Sequence, residues 1–241
     1  MELDTDSLER IVPDALRAGE KTGEETLRLS VERYAFAARL LPAGRVLDVA
    51  CGVGYGTRIF TERRDDVEAL GVDVSEAAID YARRRYGDGR TRFQAADAMT
   101  FSDAIGFDAI VSIETIEHLP DPEGFVARLV PMLRPGGLLV GSVPVTPSVD
   151  ANPHHLHDFS ERSFRRLFTR HGLVAWEELR QDQPFGLVAV LRRDEARMKE
   201  VRRNLPAWYL AHPDSLVRRV WSTLRHGLTS KYLTVAWQAP T

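Results

Sequence analysis

The stretch Val46-Leu47-Asp48-Val49-Ala50-Cys51-Gly52-Val53-Gly54-Tyr55-Gly56 carries a short apolar strand through an acid into a turn with glycine at every second position. Those glycines let the backbone turn sharply and leave bare peptide for a ligand to lie against. A glycine-rich turn between a strand and a helix usually cradles phosphate, as in G-x-G-x-x-G. Here Thr57 stands at the third glycine position, and Asp48 sits at the strand end, where it would repel a pyrophosphate. The turn suits a nucleoside that carries positive charge, because cationic groups gain from a nearby carboxylate.

Working outward, Asp73 falls about 20 residues beyond the loop, where the acid of a first β-α-β unit meets a ribose. The competing reading makes it a helix N-terminal acid ahead of Ser75. Apolar runs predict strands near 45–50, 67–73, 91–96, 107–112, 137–143, 173–179 and 232–238, with helices over 54–63, 75–86, 121–133 and 160–171. Strands alternating with helices make a doubly wound, mostly parallel sheet. Ligands on such sheets collect at the carboxyl ends of the strands, the edge where Asp48, Asp73, Asp97 and Ile113-Glu114 fall.

These motifs resemble, in order, those of the class I S-adenosylmethionine-dependent methyltransferases, from residue 45 to 145. Gly71-Val-Asp-Val-Ser75 is similar to the second family motif, and Phe93-Gln-Ala-Ala-Asp-Ala-Met99 to the third. Phe107 to Leu119 resembles the fourth, and Leu133-Arg-Pro-Gly-Gly-Leu-Leu-Val140 the segment that follows. The resemblance implies a Rossmann-like α/β sheet with its last strand antiparallel, N-terminal helices and a C-terminal helical insertion. It implies S-adenosylmethionine as cofactor and S-adenosylhomocysteine as its product. Asp73 would hold the ribose and Asp97 the adenine amino group; Ala50, Cys51, Gly52, Gly54, Val74, Ala98, Met99, Ile113 and Glu114 would complete the pocket.

Residues 1–42 read as a helical cap, because Leu27, Val31, Tyr34, Ala35 and Ala38 recur at helical spacing before Pro42. Residues 43–241 read as the methyltransferase domain. The lead-in resembles that of methyltransferases from polysaccharide and natural-product pathways, which makes Tyr34 a candidate cofactor contact. The alternative is a merely packed ring on an amphipathic face. Residues 185–230 are expected to form a helical lid insertion, with Leu187, Leu191, Met198, Val201 and Leu205 on one face and a second helix from Pro213 to near Gly227. The other assignment gives a strand over Phe185–Arg192 and a helical tail that could be an oligomer contact; a homodimer stays open.

The chain has 241 residues and 44% hydrophobic content, enough for one large core. Charged residues interrupt every apolar run, so no membrane span is expected. The acidic start Met1-Glu-Leu-Asp-Thr-Asp-Ser lacks a signal peptide's features, and the single cysteine, Cys51, fits a reducing cytoplasm. A net charge of −3 gives no nucleic-acid footprint. Between Leu191 and His226, however, nine Arg or Lys residues face four acids. Either this is a solvated helix face, or it grips an anionic or nucleotide-linked small-molecule acceptor.

Methyl transfer needs alignment first, and a base where the acceptor is a hydroxyl. Two histidine sites compete for that role. Asn152-Pro-His-His-Leu-His-Asp-Phe-Ser160 resembles a family segment in which His155 matches the family histidine; His118 ends the fourth motif. Both are catalytic candidates, with Glu114 and Glu117 as further polar cleft residues. The cluster His154, His155, His157 and Asp158 also permits a metal reading. No second cluster or cysteine pair supports it in the sequence, so no metal is expected.

Overall fold

The computed structural model describes residues 10–17, 19–147, 152, 154–185 and 205–240. Its strands are β1 (Gly44–Val49), β2 (Val67–Asp73), β3 (Thr91–Ala95), β4 (Phe107–Ile113), β5 (Leu133–Pro144), β6 (Val174–Pro184) and β7 (Thr229–Gln238). They form one sheet in the order β3-β2-β1-β4-β5-β7-β6, parallel except that β7 runs antiparallel to both neighbours. The order reverses at β1, which lies between β2 and β4, so the carboxyl end of β1 opens the crevice where such sheets bind ligands.

The helices are α1 (Lys21–Leu40), α2 (Tyr55–Arg63), α3 (Glu76–Tyr86), α4 (Pro122–Leu129), α5 (Glu161–Thr169), α6 (Leu205–Ala211) and α7 (Pro213–His226). Alternation along β1 divides its side chains between two cores. Leu47 and Val49 join the cluster with Ile110, Leu139, Phe164, Phe168 and Trp237. Val46 joins the opposite cluster with Tyr34, Ala37, Phe60, Val111 and Ala236. Both faces are covered, which is why the central strands read as near-continuous apolar runs.

Several boundaries differ from the sequence reading. The helix expected over 121–133 stops at Leu129, where a 3-10 turn over Val130–Met132 takes over. Pro131 cannot donate to the helix, and β5 starts at Leu133 instead of 137. The β6–β7 hairpin is also longer than expected, pairing from Val174↔Gln238 to Pro184↔Thr229. Helices α6 and α7 lie between those two strands, and Gly227 closes α7 with φ 68°. The predicted apolar face from Leu187 to Val201 lies outside the described residues, as does all of Phe185–Arg192 beyond Phe185. No helix among the described residues is long and apolar enough to cross a membrane.

Helix α1 is pinned to the sheet through a buried cation. Arg33 is only 2% exposed; its Nε donates to Gln181 Oε1 at 2.8 Å, and its guanidinium lies 4.3 Å over the Tyr232 ring. Gln181 in turn donates to the Leu29 carbonyl and to Glu32. The buried face of β6 therefore carries glutamines rather than apolar residues.

Candidate functional site

The loop after β1 is shaped from beneath. Gly54 takes φ 85° as the N-cap of α2, and a Cβ there would stand 2.6 Å from the Phe93 ring. At Gly56 a Cβ would fall inside the Tyr34 ring, so α2 packs this closely against α1 only because position 56 has no side chain. Gly56→Ala is expected to cost about 1–3 kcal/mol of stability by overpacking. Chemical denaturation checks this, and an unchanged midpoint would contradict the packing. Ala50 (φ 60°) and Glu114 (φ 51°), at the ends of β1 and β4, also adopt left-handed conformations. Such strain in non-glycine residues persists where the surroundings over-determine it, as at binding sites.

Asp48 and Tyr34 lie behind this loop, not in an open pocket. Asp48 is fully buried; Thr57 Oγ1 donates to its Oδ2 at 2.5 Å and the Tyr34 hydroxyl to its Oδ1 at 3.4 Å. Burial drives the Asp48 carboxyl up to about 7, opposed by those two hydrogen bonds. Tyr34 is 5% exposed and packs edge-on to Tyr55, with its ring under Gly56. The contact the structure gives its hydroxyl is the hydrogen bond to Asp48, beneath the turn. Cys51 is buried against Phe93, and burial pushes its thiol well up, which makes it a packing residue rather than a nucleophile.

Asp73 closes the loop from the neighbouring strand. Its Oδ2 accepts from Gly52 N at 3.0 Å, and its Oδ1 accepts from Ser75 N at 2.9 Å and Arg10 Nη2 at 3.0 Å. The carboxylate is thus aimed at the glycine turn from the end of β2. Beyond it, Val74 is 68% exposed, a large apolar surface beside the turn that fits the face of a base. Asp97 is exposed and accepts from Met99 N at 2.8 Å, while Ala98 is buried and Met99 half-buried. A bare glycine turn, an acid able to take two hydroxyls, and an apolar ledge together fit an adenosine whose amino-acid tail carries positive charge. Gly52, Asp73, Val74, Asp97 and Met99 are the residues that would hold it.

Across the crevice, the end of β4 gathers the polar candidates. Ile113 is buried, and Glu114 accepts from Ser142 Oγ at 2.5 Å and lies 3.7 Å from Arg33. A 3-10 turn over Ile116–His118 follows, and the histidine segment zips onto it. Leu156 N and His157 N both donate to the Glu117 carbonyl, at 2.8 and 3.2 Å. His118 and His155 consequently meet edge to face, with ring centroids 4.7 Å apart. Burial, with His118 and His154 adding to it, pulls the His155 imidazole down to about 3. Burial and the neighbouring Glu114 hold the Glu117 carboxyl well above the usual range. His154 and Asp158 are exposed, and His157 Nε2 lies 3.0 Å from the Leu119 carbonyl.

Sequence reading did not single out Arg33 or Gln181; only their burial does, and no local pattern carries that signal. Of the basic residues considered as an anion grip, Arg192, Arg193, Arg197, Lys199, Arg202 and Arg203 lie outside the described residues. Arg218 pairs with Asp214 at 2.9 Å on its own helix.

Residues 47–141 match the family model described as a methyltransferase domain. Phosphoethanolamine N-methyltransferase 1 of Arabidopsis thaliana is 31% identical over 191 residues, covering 76% of this chain and 36% of that protein. A protein of Mycolicibacterium smegmatis described as a "probable S-adenosylmethionine-dependent methyltransferase" is 31% identical over 174 residues, covering 66% of each. The chain thus spans about a third of the plant relative's length and about two thirds of the mycobacterial one's. The crystal structure of the N-methyltransferase NodS from Bradyrhizobium japonicum WM9, in complex with S-adenosylhomocysteine, shares the fold. It superposes with a TM-score of 0.61 at 18% identity, covering 99% of this chain and 100% of that one.

Proposed function

The chain belongs to the class I S-adenosylmethionine-dependent methyltransferases, and from that premise we propose that it methylates an oxygen or nitrogen of a small sugar-like or natural-product acceptor. The observation that carries this reading is the meeting of two groups of residues at one sheet edge. On one side stand the glycine turn and Asp73; on the other stand His118, His155 and Glu114.

Bound S-adenosylmethionine supplies an electrophilic methyl group on a positively charged sulfur, so the protein's work is chiefly alignment and exclusion of water. Asp73 would accept the ribose hydroxyls, and it keeps Gly52 in register. Asp48 lies under the turn and favours positive charge above it. The His118–His155 pair lines the acceptor side, where an imidazole can receive a hydrogen bond from an acceptor hydroxyl and aim its lone pair. Helices α6 and α7 lie between β6 and β7, and residues 185–230 are the segment we assign to closing over the acceptor. The acidic net charge and the pairing of Arg218 with Asp214 support a small acceptor over nucleic acid.

Incubation with methyl-labelled S-adenosylmethionine and a panel of hydroxyl- and amine-bearing small molecules, with RNA and protein fractions alongside, tests this reading. Label is expected in a small molecule, with one S-adenosylhomocysteine formed per methyl transferred. Label confined to RNA or protein would overturn it, as would cofactor binding without transfer to any fraction. Nucleotide sugars and their neutral counterparts in the same panel test the anionic acceptor, and equal turnover of both would remove that preference.

A further inference from the structure

We propose that Glu117, His118 and His155 form an open, three-ligand site for a borderline divalent cation of the zinc or manganese type. The inference deepens the proposed reading of the same cleft. One carboxylate oxygen and two imidazole nitrogens, one per residue, lie within 4.8 Å of one another.

Glu117 carries the argument. Its side chain is fully buried, and among the described residues neither carboxylate oxygen has a hydrogen-bond partner. The other acids of this edge are satisfied: Asp48 by Thr57 and Tyr34, Asp73 by two backbone amides, Glu114 by Ser142. Arg33 does not meet the need, since its Nε is committed to Gln181 and its guanidinium approaches Glu114. A buried carboxylate lacking donors is costly, and a cation is the partner that removes the cost.

The two imidazoles are arranged as ligands. His118 Nδ1 lies 3.1 Å from the His154 carbonyl, which can only accept, so in the neutral ring Nδ1 carries the proton and the lone pair sits on Nε2. That nitrogen faces Glu117 Oε1 at 4.0 Å. A backbone partner that fixes the tautomer in this way is the usual support of a metal-binding histidine. His155 is brought in by the two amide bonds from Leu156 and His157 to the Glu117 carbonyl, so ligands distant in sequence share one rigid frame.

Metal–ligand bonds of about 2.0–2.2 Å place tetrahedral ligand atoms roughly 3.3–3.6 Å apart. Binding would therefore draw the trio together by about an ångström. Two imidazoles with one carboxylate favour zinc, manganese or iron over magnesium or calcium, which prefer an all-oxygen shell. Three protein ligands leave a position for water or an acceptor oxygen, the pattern of catalytic rather than structural sites. The acceptor class this favours is a small molecule presenting a hydroxyl or carboxylate oxygen to the ion.

The test is direct ion binding by the purified full chain: manganese followed by electron paramagnetic resonance, zinc by competition with a chromogenic chelator. One ion per chain is expected, with affinity at least tenfold weaker in Glu117→Gln and in His155→Gln. Binding of S-adenosylhomocysteine, measured in the same samples, reports that each variant is folded. Should Glu117→Gln fail to fold, His155→Gln and His118→Gln carry the comparison. Neither metal binding to a chain that binds S-adenosylhomocysteine overturns the site and leaves the methyltransferase reading standing. Equal metal affinity in wild type and variants also overturns it. Metal binding by a chain that does not bind S-adenosylhomocysteine supports the site and counts against the reading of the cofactor pocket.

Discussion

Replacing Asp73 by alanine is expected to weaken S-adenosylmethionine binding by roughly 100-fold, measured by isothermal titration calorimetry. Two hydrogen bonds from ribose hydroxyls to a carboxylate contribute about 3 kcal/mol together, and each 1.4 kcal/mol is tenfold in affinity. The same carboxylate ties Gly52 N to the end of β2, so its loss also releases the turn that the adenosine lies against. Asp73→Asn separates the two roles. Its one remaining carbonyl oxygen still accepts from the backbone, while the amide cannot accept a hydroxyl proton, so an intermediate loss of about tenfold is expected. Wild-type affinity in Asp73→Ala would remove Asp73 from the cofactor site.

Asp48→Asn is expected to flatten the pH dependence of stability. Burial raises the Asp48 carboxyl from 3.8 to about 7. Between those values the native state holds a proton that the unfolded chain has released, so stability is full below about pH 4 and is lost as pH rises through 7. Linkage puts the loss between about pH 5 and about pH 8 at roughly 2–3 kcal/mol in the wild type, and the asparagine variant should lack this part of it. Urea denaturation at the two pH values checks this; parallel losses in both proteins would contradict it. Cofactor charge adds a second consequence. A sulfonium above the turn favours ionised Asp48, so the preference for S-adenosylmethionine over its uncharged-sulfur product should grow from about pH 6 to about pH 8 and stay flat in Asp48→Asn.

The first five strands and the helices between them were legible because parallel strands covered on both faces give continuous apolar runs, broken by turns of recognisable chemistry. Val46 to Gly56 is the clearest case. The β6–β7 hairpin was less legible for a physical reason. The buried positions of β6 are Gln181 and Gln183, which bond to α1 and Tyr232, and its apolar Val174 and Trp176 are exposed. Its hydrophobic pattern is therefore inverted, and the strand runs on to Pro184, past the expected end.

At the site, the sequence singled out acids without showing how deep each would lie. Asp48 and Tyr34 read as pocket residues, yet side-chain alternation puts Asp48 on the face that α1 covers, where Tyr34 and Thr57 enclose it. The histidine segment alone offered no second ligand set. That set appears when Leu156 and His157 pair with the carbonyl of Glu117, a contact between distant segments that no local motif encodes.

The most direct test of the central claim is calorimetric titration of the purified wild-type chain with S-adenosylmethionine and with S-adenosylhomocysteine at near-neutral pH. Binding of both at one molecule per chain, with the Asp73→Ala variant folded but roughly 100-fold weaker, is the predicted result. A folded wild-type chain that binds neither molecule at millimolar concentration would contradict the account.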